Sequence, residues 1–177
     1  MRWLIRILAL CAVIGILSPA KAQNNDVGLI FAPTVQNAAY ASGNAMGGLQ
    51  TLGFFQAKAS AVFDNFWIAS QGGSTTAMTI YLFTANPSGS TCTDKSAFSL
   101  AAADVSKLAM APFVVTPAVV GAGSTVSFAQ FTAAISVSNT DSAPGPRSLL
   151  YLCIVANGAV TPASTTDLLG KLSGVLD

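Results

Sequence analysis

Histidine and glutamate are absent from this 177-residue chain, and only 8% of its residues are charged. Without histidine there is no Ser-His-Asp triad, no Cys-His pair and no histidine-ligated zinc within the chain. Three cysteines cannot complete a four-thiolate site. The aspartates at 26, 64, 94, 104, 141, 167 and 177 show none of the dense alternation of a calcium loop. A glycoside hydrolase would need two aspartates brought together by folding, but Trp67 and three tyrosines give a sugar little to stack on. A small secreted hydrolase would have to draw on Asp94 and Asp104. Those two, beside Lys95 and near Lys107, read more simply as surface ion pairs or turn and cap residues. The glycine-rich stretches lack the strand, helix and lysine of a phosphate loop. No catalytic, cofactor-binding or metal-binding residue is assigned, and the chain reads as non-enzymatic.

Cationic surface is scarce as well. Arg2 and Arg6 precede the apolar run from Ile7 to Leu17, which ends in Ser18-Pro19 and Ala20-Lys21-Ala22. This is the three-part pattern of a secretory signal peptide, with cleavage expected after Ala22. The run is shorter than the ~20 residues a membrane-spanning helix needs, so no stable membrane anchor is expected after cleavage. Residues 23–177 carry Lys58, Lys95, Lys107, Arg147 and Lys171 against seven aspartates, a net charge of about −2. With no basic face to neutralise phosphates, nucleic acid is not an expected partner. The same residues suit one domain. Low charge, with Ser, Thr, Ala and Gly in its place, fits outer faces partly covered by neighbours, and equally a neutral monomer.

Cys11 leaves with the leader, so Cys92 and Cys153 remain. In an oxidising compartment they could form a disulfide across a 61-residue separation (153 − 92). The alternative is two buried thiols, since Cys153 sits in the apolar run Leu149 to Val155.

The stretch from Thr79 to Phe98 organises the rest. Thr79 to Thr84 is rich in β-branched and aromatic residues and predicts a buried central strand, which Asn86-Pro87-Ser88-Gly89-Ser90 ends in a turn. Further strands are predicted at Val27 to Phe31, Leu49 to Phe54, Ala57 to Ser70, Phe113 to Val120 broken by Pro117, Thr125 to Phe131, Ala133 to Val137, Leu149 to Val155 and Leu168 to Val175. Gly47-Gly48 marks a turn with close backbone approach, and Gln71-Gly72-Gly73-Ser74 reads as a hairpin joining its flanking strands. Trp67, next to Phe66, reads as core. Ser99 to Ala109 is the one helical stretch. Strands and turns at this spacing predict an all-β fold, a single jelly-roll-like β-sandwich with one short helix after an N-terminal apolar leader helix.

Four stretches carry a resemblance: Tyr40 to Leu49, Ile80 to Phe98, Ala103 to Leu108 and Thr166 to Asp177. Together they resemble a family of tailed-bacteriophage structural proteins encoded near capsid genes. The resemblance implies a β-sandwich virion component, capsid-associated or decoration-like. It further implies binding to capsid or other coat subunits, with homo-oligomers among the arrangements, and implies no catalytic residue or cofactor. The leader departs from that pattern, because a coat protein assembled in the cytoplasm has no use for export. The expected location is therefore the virion, or an exported periplasmic or extracellular one. The second expectation is an exported bacterial surface or periplasmic β-sandwich binding module.

Overall fold

The computed structural model describes residues 26–54, 61–121, 126–137 and 148–176. The leader (1–22) and the turn at 142–146 lie outside the described residues. Nine strands are formed among those described: β1 (Asp26–Phe31), β2 (Gln50–Phe54), β3 (Ala61–Ser70), β4 (Met78–Phe83), β5 (Phe113–Val115), β6 (Ala118–Val119), β7 (Ser127–Val137), β8 (Ser148–Ala156) and β9 (Leu168–Leu176). They make two antiparallel sheets, ordered β1-β9-β3-β7-β6 and β2-β8-β4-β5. Most connections cross from one sheet to the other. Setting aside the two-residue β6, this is the strand succession of a jelly roll, two four-stranded sheets wound around one core.

Side-chain alternation builds that core. Leu29, Phe31, Phe63, Phe66 and Ile68 point inward from the five-stranded sheet to meet Ile80, Leu82, Leu150, Leu152 and Ile154 from the other. Each large side chain so buried contributes about 1.5–3 kcal/mol relative to exposure. Phe66 links the ring contacts, stacked on Phe31 at 5.7 Å between centroids and edge-on to Phe113 at 5.4 Å. Two glycines in β9 make this packing feasible. The ring of Phe31 occupies the place where a side chain on Gly170 would stand. At Gly174 a Cβ would come within 2.6 Å of the Phe63 backbone, where β3 bulges between Phe63 and Asn65.

β8 explains the apolar run that ends in Val155. Leu150, Leu152, Ile154 and Ala156 face the core, while Tyr151, Cys153 and Val155 face outward into a second apolar cluster with Ala45 and Phe83. That cluster is roofed by the β4–β5 connection, residues 84–112, through Cys92, Phe98, Leu100 and Leu108. A strand buried on both faces reads as a continuous apolar run rather than an alternating one.

Several sequence expectations are corrected. β3 and β4 lie in different sheets, so Gln71 to Ser74 is a crossing turn and not a hairpin. The predicted helix is a 3-10 helix limited to Ala102–Lys107. Beyond it the backbone is drawn onto β4, with Thr84 N–H donating to Lys107 O and Ala109 N–H to Leu82 O, both at 2.8 Å, which ends the helix. Pro117 separates β5 from β6, and the two strands join opposite sheets. The two strands expected between residues 125 and 137 are one, β7.

Candidate interaction faces

The two outer faces of the sandwich differ. On the four-stranded sheet, Cys92 of the covering segment is bonded to Cys153 of β8, with 6.2 Å between Cα atoms. The disulfide therefore fastens residues 84–112 over the outside of the sheet. Backbone pairing adds to it. Ala45 N–H donates to Ser96 O and Phe98 N–H to Gly43 O, each at 2.8 Å, so the segment lines up beside residues 43–46, which in turn bond β8 through Met46 N–H to Ile154 O.

Three aspartates hold the loops by accepting hydrogen bonds, Asp94 and Asp167 from donors in other segments and Asp104 from within the covering segment. Asp94 accepts from the Tyr40 hydroxyl at 2.7 Å and the Gly47 N–H at 2.6 Å, so it is a loop anchor and not simply the partner of its neighbour Lys95. Gly47 and Gly48 both adopt positive φ, 74° and 70°, as the close approach at this turn requires. Asp104 does pair with Lys107, at 2.8 Å, but its carboxylate is buried and also accepts from Ser90 Oγ at 2.7 Å and Gly89 N–H at 2.9 Å. The Lys107 ammonium, followed by the Ser90 hydroxyl, holds the Asp104 carboxyl below the ordinary carboxylate range. Its stabilising effect is thus present above that ordinary range and is lost as pH falls through the lowered value. Asp167 is buried and binds the turn after β3, accepting from Gly72 N–H at 2.5 Å, Ser70 Oγ at 3.1 Å and Ala163 N–H at 3.2 Å. Among the described residues no group of three His, Cys, Asp or Glu side chains is placed to hold a metal ion.

Tyr40 is buried beside Asp94, and its hydroxyl also accepts the Gln36 N–H at 2.7 Å. Burial, aided by the hydrogen bond to Asp94, pushes its pKa up to about 12. A phenol whose folded pKa is raised gives stability that is complete below the ordinary value near 10 and is lost as pH rises through about 12. In urea titrations, wild type is therefore more stable than Tyr40→Phe at pH 9, and that advantage shrinks as pH rises from 10 to 12. An advantage constant across that window would contradict the assignment.

No roof covers the outer face of the five-stranded sheet in the described residues. Registered across it are Ile30, Lys171, Trp67 and Gln130 in one row, and Leu169, Ala69 and Phe128 in the next. Ile30 is 70% exposed, Val175 45% and Phe128 37%. Trp67 is half-buried here, its ring 5.6 Å from that of Phe128, so it is an outer-face residue and not part of the core expected from its neighbours. The signal available in the sequence was its phase: Phe66 and Ile68 take the inward positions and leave Trp67 outside.

No helix among the described residues is long and apolar enough to cross a membrane. No protein-family model matches the sequence, and no curated protein matches it significantly. Solved structures similar to the chain include the PRD1 vertex protein P5, 8% identical with a TM-score of 0.39, over 87% of this chain and 98% of that one. Tomato aspermy virus, also 8% identical at a TM-score of 0.39, is matched over 97% of this chain and 93% of that one. A carbohydrate-binding module specific for non-crystalline cellulose is 10% identical at a TM-score of 0.33, over 72% of this chain and 65% of that one.

Proposed function

We propose that the chain is a non-enzymatic structural subunit of a phage-like virion, capsid-associated or decoration-like, which binds neighbouring coat subunits. The observation that carries this reading is the asymmetry of the sandwich. One outer face is partly covered by its own disulfide-fastened segment, whereas the other has no such cover among the described residues and leaves Ile30, Val175 and Phe128 exposed, with Trp67 half-buried against Phe128. Large apolar side chains left exposed on one sheet face, here interspersed with Asp26 and Lys171, are the kind of surface that another macromolecule covers. Four strands spaced about 4.8 Å apart and about 30 Å long present roughly 600 Å², of the order of the ~800 Å² per partner in a specific interface.

The disulfide favours a second reading, an exported surface or periplasmic binding module, because bridges persist in oxidising compartments. The two are separated by purifying particles and the soluble envelope fraction from a producing culture and reading the N-terminus and mass of the polypeptide in each. Co-purification with intact particles at fixed stoichiometry is the expected result. A chain that starts at Gln23 and occurs only in the envelope or medium would replace the first reading with the second.

A further inference from the structure

Where the covering segment ends against β4, a shallow depression of about 400 Å³ opens on the outside of the four-stranded sheet. Tyr81 of β4 and Phe98 of the covering segment form one side, their rings tilted at 38° with centroids 4.3 Å apart and both half-buried. Thr79, Asn157 and Ser42 supply the polar rim. The Thr79 hydroxyl donates to Asn157 Oδ1 at 2.8 Å, which fixes the amide at the edge of the depression. Gly43, with φ of 87°, has no atom within 4 Å of the place a side chain would occupy, so the rim is open there.

The chemistry of the lining selects the ligand. No charged residue lines the depression, so an ionic ligand would lose hydration without gaining a counter-charge. A purely apolar ligand would cover the Asn157 NH₂, whose amide oxygen alone is engaged by Thr79, without offering it an acceptor. A pyranose ring satisfies both conditions. Its axial C–H bonds present a positively polarised face to the electron-rich face of an aromatic ring, and its equatorial hydroxyls reach outward to hydroxyl and amide groups. We propose that this depression is a binding site for a pyranose of a neutral glycan, with Tyr81 and Phe98 as the stacking side and Thr79 and Asn157 as the hydrogen-bonding side. Such a site would serve a particle-borne chain and an exported one alike. The Cys92–Cys153 bridge supports it, together with the Phe98 N–H bond to Gly43 O, since both hold the segment that carries Phe98.

The test is amide NMR of the oxidised protein with cello-, manno-, galacto- and N-acetylglucosamine oligosaccharides, each at about 10 mM to reach millimolar affinities. The expected result is that at least one of them shifts the amides of Thr79, Tyr81 and Asn157. Tyr81→Ala and the surface change Asn157→Ala should weaken that binding about tenfold or more, equivalent to about 1.4 kcal/mol. Tyr81→Phe and Trp67→Ala, the latter on the opposite sheet, should leave it within about threefold. Three outcomes overturn the site: no oligosaccharide of the four moves these amides, the shifts map to the Trp67 face, or Asn157→Ala and a folded Tyr81→Ala bind as wild type does.

Discussion

Replacing Cys92 and Cys153 together with alanine lowers the free energy of unfolding by about 4 kcal/mol, the chain-entropy value for a bridge closing a loop of this length. For a domain of this size that corresponds to a fall in Tm of roughly 8–16 °C. The loss should not be spread evenly. Cys153 is buried on the outward side of β8, whereas the main core lies on the inward side with Leu150, Leu152 and Ile154. Without the bridge, the covering segment keeps its backbone bonds to residues 43–46 but loses its covalent tie to β8. Hydrogen exchange of the Thr91, Lys95 and Phe98 amides should therefore quicken more than exchange in β3 or β9. A free-thiol count on denatured, unreduced protein lacking the leader should find no reactive thiol at Cys92 or Cys153. Two reactive thiols, or a double variant within about 1 kcal/mol of wild type, would refute the bridge's role.

Asp167→Ala should cost about 3 kcal/mol in urea unfolding, because it leaves the Gly72 and Ala163 N–H groups without their acceptor and Ser70 Oγ without its own. The damage is focused on one joint. Ser70 ends β3, its hydroxyl also accepts the Ser74 N–H at 3.1 Å, and Gln71 N–H donates to the Asp167 carbonyl at 2.8 Å. Ser127 Oγ donates to Ser74 O from β7, tying the same turn to a second strand. Asp167→Asn keeps the shape but replaces one acceptor oxygen by a donor facing N–H groups, so it should fall between alanine and wild type. A loss below about 1 kcal/mol for the alanine variant would mean that the turn holds its crossing without the carboxylate.

That joint also marks how far the sequence could be read. Alternation in Met78 to Phe83 and in Ala61 to Ser70 reports which side chains point inward, and the all-β sandwich follows from it. Alternation cannot say which sheet a strand joins. Gln71-Gly72-Gly73-Ser74 has the composition of a hairpin, yet the group that sends the chain across the sandwich is Asp167, 97 residues beyond Ser70. The 3-10 helix shows the same limit. Alanine content favours an α-helix, but pairing of Leu108 with Phe83 claims the residues needed for its last turn. Asp94 and Asp104 were legible as polar loop residues. Their partners were not legible: Tyr40 and Gly47 come from another segment, and Gly89 and Ser90 lie 14–15 residues before Asp104 across a turn of the covering segment. The aromatic pair of the proposed glycan site was visible only in part. Tyr81 belonged to a recognisable strand, while Phe98 reaches it because the covering segment folds back.

The register of β1 against β9 bears on how the molecule is made. Asp26 faces Val175 and Phe31 faces Gly170, so the first described strand bonds only to the last. A ribosome working at about 5–20 residues per second spends roughly 7–30 s between making those two partners. Throughout that interval β1 has no strand to bond, and β3 lacks one of its two neighbours. Pairings this distant in the chain also close slowly once both halves exist. The five-stranded sheet is therefore the last to be completed: the four-stranded sheet and the β3–β7 pair have all their residues before β9 is made, and β1 and β3 gain their shared neighbour only when the chain is nearly finished.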